Sequence, residues 1–158
     1  MSPPAVEVRA PTPEDLAWLA EHLRDQDLAE LKAAGWDDPH QALVASVKRS
    51  KQTFLAVADG LPAALFGCAE YGSLLAPVGV PWMLGTDAVA RHRRVLQRWA
   101  RRYIEAMLQE YPRLFNAVHA ENTVSVRWLQ ALGFTLHPAT PAPPHGAPFR
   151  VFEMSRHV

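Results

Sequence analysis

The sequence predicts an α+β fold: a mixed, mostly antiparallel β-sheet flanked by helices. Three observations carry this. The Asp59-Gly60 pair stands between the apolar runs TFLAVA and LPAALFGCAEYG, and Asp-Gly supplies the left-handed residues of a two-residue hairpin turn. Two helical stretches, one near 91–111 and one over NTVSVRWLQAL, each lie between strand-like runs, and a helical crossover lets two strands of one sheet run parallel. The 158 residues can bury roughly two-thirds of the surface of the unfolded chain in one core but are too few for two independent ones. Residues 1–158 are therefore expected to form one domain.

AVEVRA alternates as a strand does and runs into PTPEDLAWLAEHL. There Thr12 is placed to cap a helix, Pro13 suits its first position, and Asp15 follows three residues after the cap. Between Gln26 and Ser50 two further short helices are expected, interrupted at AGWDDPH, where Asp37 or Asp38 with Pro39 gives a new start. The hairpin follows, then a loop containing Gly72, Pro77 and Gly79, then a short strand VPWML. The longest helix is expected from near Arg91 to near Tyr111, since Leu96, Trp99, Ala100, Tyr103, Ile104, Met107 and Leu108 recur at three- and four-residue spacing. Pro112 stops it. RLFNAVHA reads as a strand, NTVSVRWLQAL as a helix from an Asn122 cap to a Gly133 end, and FTLHP and PFRVFEMS as a last strand pair around a proline-rich loop, 138–148. Its prolines predict a stiff, extended excursion without regular structure, open to use as an interface. The resulting frame is β-α-α-β-β-β-α-β-α-β-β.

Sixteen basic residues balance sixteen acidic ones, so overall charge offers no argument for nucleic acid or an anionic membrane. The lone Cys68 excludes an internal disulfide, MSPPAVEVRA lacks the pattern of a signal peptide, and no apolar run reaches the roughly 18 residues of a membrane span. A soluble protein of a reducing compartment is expected, with no metal. Charge is nevertheless clustered: Arg91, Arg93, Arg94, Arg98, Arg101 and Arg102 fall within twelve residues that contain no acidic residue. Each positive charge at a helix N-terminus is unfavourable by roughly 0.3–1 kcal/mol. A bound anion would offset this, whether acyl-CoA phosphates, a nucleic acid backbone or the carboxylates of a partner. A solubilising polar helix face is the alternative.

In ENTVSVRWLQALGF, Asn122 can cap the helix, Val126, Leu129 and Leu132 share an apolar face, and Gly133 permits the left-handed end. An asparagine cap, an apolar helix and then Leu-Gly-Phe resemble the C-terminal signature of the GCN5-related N-acetyltransferase (GNAT) superfamily, and the element order is similar to that fold from end to end. PWMLGTDAV, the arginine-rich helix, YPRLFNAVHAENTVSVRWLQALGF and PFRVFEM together resemble a family of short-tailed bacteriophage proteins, internal virion proteins with an acetyltransferase-like fold. That resemblance implies a setting in the phage virion or the cytoplasm of the infected host, with other phage structural proteins or host proteins as partners.

The superfamily resemblance also implies a site for acetyl-CoA. Trp82, Met83, Leu84 and Gly85 would form the strand that opens for pantetheine, Asn122 would contact the cofactor, and a glycine-rich loop would present backbone amides to the pyrophosphate at the start of the long helix. The corresponding segment here, ARHRRVL, contains no glycine; Arg91, Arg93 and Arg94 could grip phosphates with their guanidinium groups instead. Where many relatives carry a tyrosine that protonates the leaving thiolate, this chain has Leu129, and loss of a general acid typically costs about 10²–10⁴-fold. An amine of pKa near 10.4 costs about 4–5 kcal/mol to deprotonate at neutral pH, so a base helps. Glu70, Asp87 and His119, at strand ends or loops, are the candidates. Two readings follow: a phage accessory or virion-associated component whose acyl-CoA site has degenerated and which acts through protein contacts, or an acetyl-CoA-dependent N-acetyltransferase acting on a primary amine.

Overall fold

The computed structural model describes residues 6–156. Strand β1 (Val6–Arg9) leads into three helices, α1 (Pro13–His22), α2 (Asp25–Ala33) and α3 (Pro39–Arg49). The β1–α1 junction carries a full capping box: Asp15 N–H donates to Thr12 Oγ1 at 3.2 Å, and Thr12 N–H donates to Asp15 Oδ2 at 2.8 Å. Asp38 starts α3 with a one-sided cap, its carboxylate accepting from His40 N–H at 2.9 Å. Helices α1–α3 are the three expected, one from the Thr12 cap and two between Gln26 and Ser50 parted at AGWDDPH; the frame β-α-α-β undercounts them by one.

Strands β2 (Ser50–Ala58), β3 (Leu61–Ser73) and β4 (Ala76–Gly85) form an antiparallel meander. Asp59 and Gly60 both take positive φ, 52° and 81°, as the hairpin turn demands. The stretch around Gly72, Pro77 and Gly79, expected as loop, is instead paired: β3 and β4 continue to a tip where Leu74 and Leu75 are fully exposed. A short helix α4 (Ala88–Arg91) precedes the long α5 (Arg93–Glu110), which β5 (Arg113–His119), α6 (Thr123–Leu132), β6 (Thr135–Leu136), β7 (Thr140–Ala142) and β8 (Ala147–Ser155) follow. The strand order is β1-β2-β3-β4-β5-β8-β6, with β7 also on β8.

The proline-rich segment departs from the expected excursion. Thr140–Ala142 pairs with Ala147–Phe149 as a short edge hairpin, a place where missing N–H donors are tolerated. The turn lies on Gly35, where an added Cβ would stand 2.9 Å from Pro144 Cγ.

Alternation along the strands divides the core. Leu55 and Val57 of β2, Leu65 of β3 and Leu84 of β4 pack on Leu16, Leu19 and Leu43 of α1 and α3. Ala56, Ala64 and Cys68 face the other way, toward Leu96, Ile104 and Met107 of α5 and Val126, Trp128 and Leu132 of α6. Each fully buried leucine contributes roughly 1.5–3 kcal/mol. Helices α1–α3 thus cover one face of the sheet and α4–α6 the other. No helix among the described residues is long and apolar enough to cross a membrane.

Candidate active site

Strands β4 and β5 are parallel neighbours that register at one pair, Gly79 with Leu114. Their approach there is tight: a Cβ on Gly79 would lie 2.7 Å from Leu114 Cδ2, 2.8 Å from Tyr111 Cδ2 and 2.9 Å from Cys68 Sγ. Beyond that rung the strands part as a fork. Pro81 has no N–H to donate, and its carbonyl accepts from Asn116 Nδ2 at 2.9 Å, so a side chain crosses a gap that backbone no longer bridges. Backbone groups along a strand alternate sides, so Met83, two residues on, aims its N–H and C=O into the same gap. No hydrogen-bonding group among the described residues reaches them.

A cavity of about 200 Å³ occupies the fork and traverses the sheet. Glu30 and Leu31 of α2 wall it on one face, Tyr103 of α5 with Trp128 and Leu129 of α6 on the other, and Trp82, Met83 and Leu84 form one rim. The lining is predominantly apolar, and Glu30 is its one acidic residue.

A buried polar network ties α2 to the ends of both strands. Arg24 Nε donates to Asp27 Oδ2 at 2.8 Å, with both side chains buried. The same Oδ2 accepts Gly85 N–H at 2.8 Å, while Gly85 C=O accepts Arg24 N–H at 3.0 Å. Asp27 Oδ1 accepts from Asn122 Nδ2 at 3.4 Å, and Arg24 Nη2 donates to Ser125 Oγ at 3.2 Å. Glu30 Oε1 accepts His119 N–H at 2.7 Å and Asn122 Nδ2 at 3.5 Å. Burial lifts the Glu30 pKa from 4.5 to about 7, reinforced by the neighbouring Asp27 charge and opposed by His119 N–H, Asn122 and Arg24. A carboxyl group that exchanges its proton near neutrality on a cavity wall is suited to general acid–base work.

Of the residues expected at the cofactor site, Trp82, Met83 and Leu84 line the cavity. Gly85 ends the strand with both backbone groups held by α2. The Asn122 side chain is buried; Oδ1 caps Ser125 N–H at 3.2 Å and Nδ2 serves the two α2 carboxylates, so it braces the fork from within. Arg91 closes α4, and Arg93 and Arg94 open α5; all three are exposed and outside the cavity lining. In the position of a glycine loop stands α4, seated by Ala88 N–H donating to Thr86 Oγ1 at 3.2 Å. Its packing explains Gly85, whose Cβ would meet Val89 Cγ2 at 2.6 Å. None of the six clustered arginines has a carboxylate partner among the described residues.

The three base candidates are dispersed. Glu70 pairs with Gly79 at the vertex end, exposed and away from the cavity. Asp87 is exposed at the start of α4 and makes no side-chain cap bond. His119 is buried with its ring against Phe149, 5.3 Å between centroids, and reaches the site through its backbone N–H. Sequence reasoning passed over Arg24, Asp27 and Glu30. Their three-residue spacing puts them on one helix face, a signal too common to select a site unaided.

No protein-family model matches the chain, and no curated protein matches it. Solved structures do. A ribosomal L7/L12 α-N-protein acetyltransferase in complex with coenzyme A superposes with a TM-score of 0.66 at 10% identity, over 97% of this chain and 95% of that one. An aminoglycoside acetyltransferase, AAC(6')-Ib, in complex with coenzyme A gives 0.67 at 18% identity over 96% and 95%. A GNAT-family acetyltransferase from Bacillus anthracis gives 0.69 at 11% identity over 98% and 96%. Shared topology at these identities fixes the architecture, a mostly antiparallel, open sheet flanked by helices: the chain has the fold of the GCN5-related N-acetyltransferases.

Proposed function

We propose that the chain transfers an acyl group from an acyl-coenzyme A, acetyl-CoA in the simplest case, to an amine. One observation carries this reading: the fork between β4 and β5 leaves the Met83 backbone pair open beside a cavity that passes through the sheet. An extended amide-bearing chain matches that strand edge, and Met83 would hold it with Trp82 and Leu84 beside it. Arg93 and Arg94, exposed in the first turn of α5, offer guanidinium groups, backbone N–H groups and the positive end of the helix dipole to phosphates. When bound, the coenzyme supplies the acyl group as a reactive thioester. Coenzyme A in the similar acetyltransferase structures supports the same ligand class.

A second reading is an accessory component, phage-derived and virion-associated, which keeps the fold and binds phage or host proteins through its surface. Helix α4 in place of a glycine loop and Leu129 where a tyrosine acid would stand favour it. Calorimetric titration with acetyl-CoA separates the two. Transfer requires saturable binding, weakened at least tenfold, about 1.4 kcal/mol, in Arg93→Ala/Arg94→Ala. Absence of binding at millimolar acetyl-CoA would refute it.

A further inference from the structure

We propose that the acceptor is a monoamine on an apolar body, seated with its ammonium against Glu30 in the part of the cavity that α2 covers. This deepens the acyl-transfer reading and rests on it. Charge decides the class. Glu30 is the one acidic residue in the lining, and on the face that α2 covers the lining beside it is the hydrocarbon of Leu31, Trp82 and Leu84, with Ser46 as the polar exception. The next carboxylate, Asp27, is fully engaged by Arg24, Gly85 N–H and Asn122. One ammonium therefore finds a partner and a second finds none; burying an unpaired charge costs several kcal/mol. A polyamine or an aminoglycoside is disfavoured on that ground. Size points the same way: about 200 Å³ lies below the roughly 300–1,000 Å³ of pockets that enclose drug-sized ligands, so a small molecule or the amine-bearing end of a larger one fits.

Glu30 is also held ready. His119 N–H and Asn122 Nδ2 both engage Oε1, which leaves Oε2 for the ligand. An arriving ammonium favours the ionised carboxylate, which then takes one proton from nitrogen. The nitrogen lone pair forms the C–N bond to the acyl carbon as the C–S bond breaks, the departing sulfur takes the second nitrogen proton, and Glu30 releases its own to solvent. An amide, a free thiol and one proton result.

The test titrates 2-phenylethylamine and spermidine into the protein at pH 8 without coenzyme, then measures acetyl transfer to each. Saturable binding of 2-phenylethylamine at least tenfold tighter than spermidine is expected, weakened at least tenfold in Glu30→Gln. Glutamine keeps an acceptor for His119 N–H, and an unchanged far-UV spectrum verifies folding. Glu30→Gln should also lower kcat by about 10²–10⁴-fold at unchanged acetyl-CoA affinity. Leu31→Asp, which adds a second acid to the wall, should shift preference toward spermidine. Equal binding of the two amines by the wild type, or wild-type amine affinity in Glu30→Gln, overturns the inference. Amine binding without acetyl-CoA binding refutes acyl transfer and leaves the amine site standing; acetyl-CoA binding without amine binding refutes the amine site alone.

Discussion

Replacing Asp27 by alanine tests whether α2 secures the fork. The substitution strips Arg24 of its partner at a buried site, orphans Gly85 N–H and frees one donor of Asn122. Removing one member of a buried ion pair costs about 3–5 kcal/mol, and an unsatisfied buried donor about 1–3 kcal/mol. These overlap, since Arg24 and Gly85 share one carboxylate oxygen. A loss of about 4 kcal/mol is therefore expected, against a total stability of roughly 5–15 kcal/mol. With a urea slope of about 2 kcal/mol/M the midpoint should fall by about 2 M. Tryptophan fluorescence is a suitable probe because Trp82 and Trp128 flank the cavity. Removing both charges in Arg24→Met/Asp27→Leu should recover the part owed to the stranded guanidinium, while the cost of the Gly85 N–H left without an acceptor remains. A loss below about 1 kcal/mol for Asp27→Ala, or a double variant no better than the single one, would refute the reasoning.

Gly79→Ala places a methyl group within 3 Å of Leu114, Tyr111 and Cys68; a cost of about 1–3 kcal/mol should lower Tm by roughly 2–4 °C per kcal/mol in scanning calorimetry, and an unchanged Tm would refute the close approach. Glu30 should give the stability a pH dependence of definite sign. Its folded pKa is raised from 4.5 to about 7, so its contribution is complete below pH 4.5 and is lost as pH rises through 7, by at most about 3 kcal/mol. Urea midpoints at pH 5 and pH 8 should therefore lie closer together in Glu30→Gln than in the wild type, and an equal separation would refute the shift.

Local signals were legible where one residue decides one geometry. Asn122 caps α6 and Gly133 ends it at φ 99°, as the opening and closing residues of that helix announce. Asp59-Gly60 behaved likewise. Elements set by distant contacts were not legible. Prolines in 138–148 argued against a strand, yet β7 forms because it sits at an edge on β8. Four residues of α4 are too few for a helical period to show, and its seat on Gly85 depends on a strand that precedes it. Glu30 illustrates the limit for the site: nothing near it in sequence is unusual, and its raised proton affinity comes from burial in the folded chain, which the N–H of His119, 89 residues later, only partly opposes. Asn122 was recognised as important, but the superfamily signature does not reveal that its carboxamide turns inward to α2.

A sheet joined across its middle by one backbone rung, Gly79 with Leu114, behaves mechanically as two blades on a hinge, β1–β4 on one side and β5–β8 on the other. The α2 network and the helices restrain the opening, but the missing rungs are a vacancy in the ladder that another chain can complete. An extended amide ligand in the fork would act as a short surrogate strand, and stiffening would extend to both blades. Amide hydrogen exchange should then slow together around Met83 and around Ala117, far beyond the atoms the ligand touches.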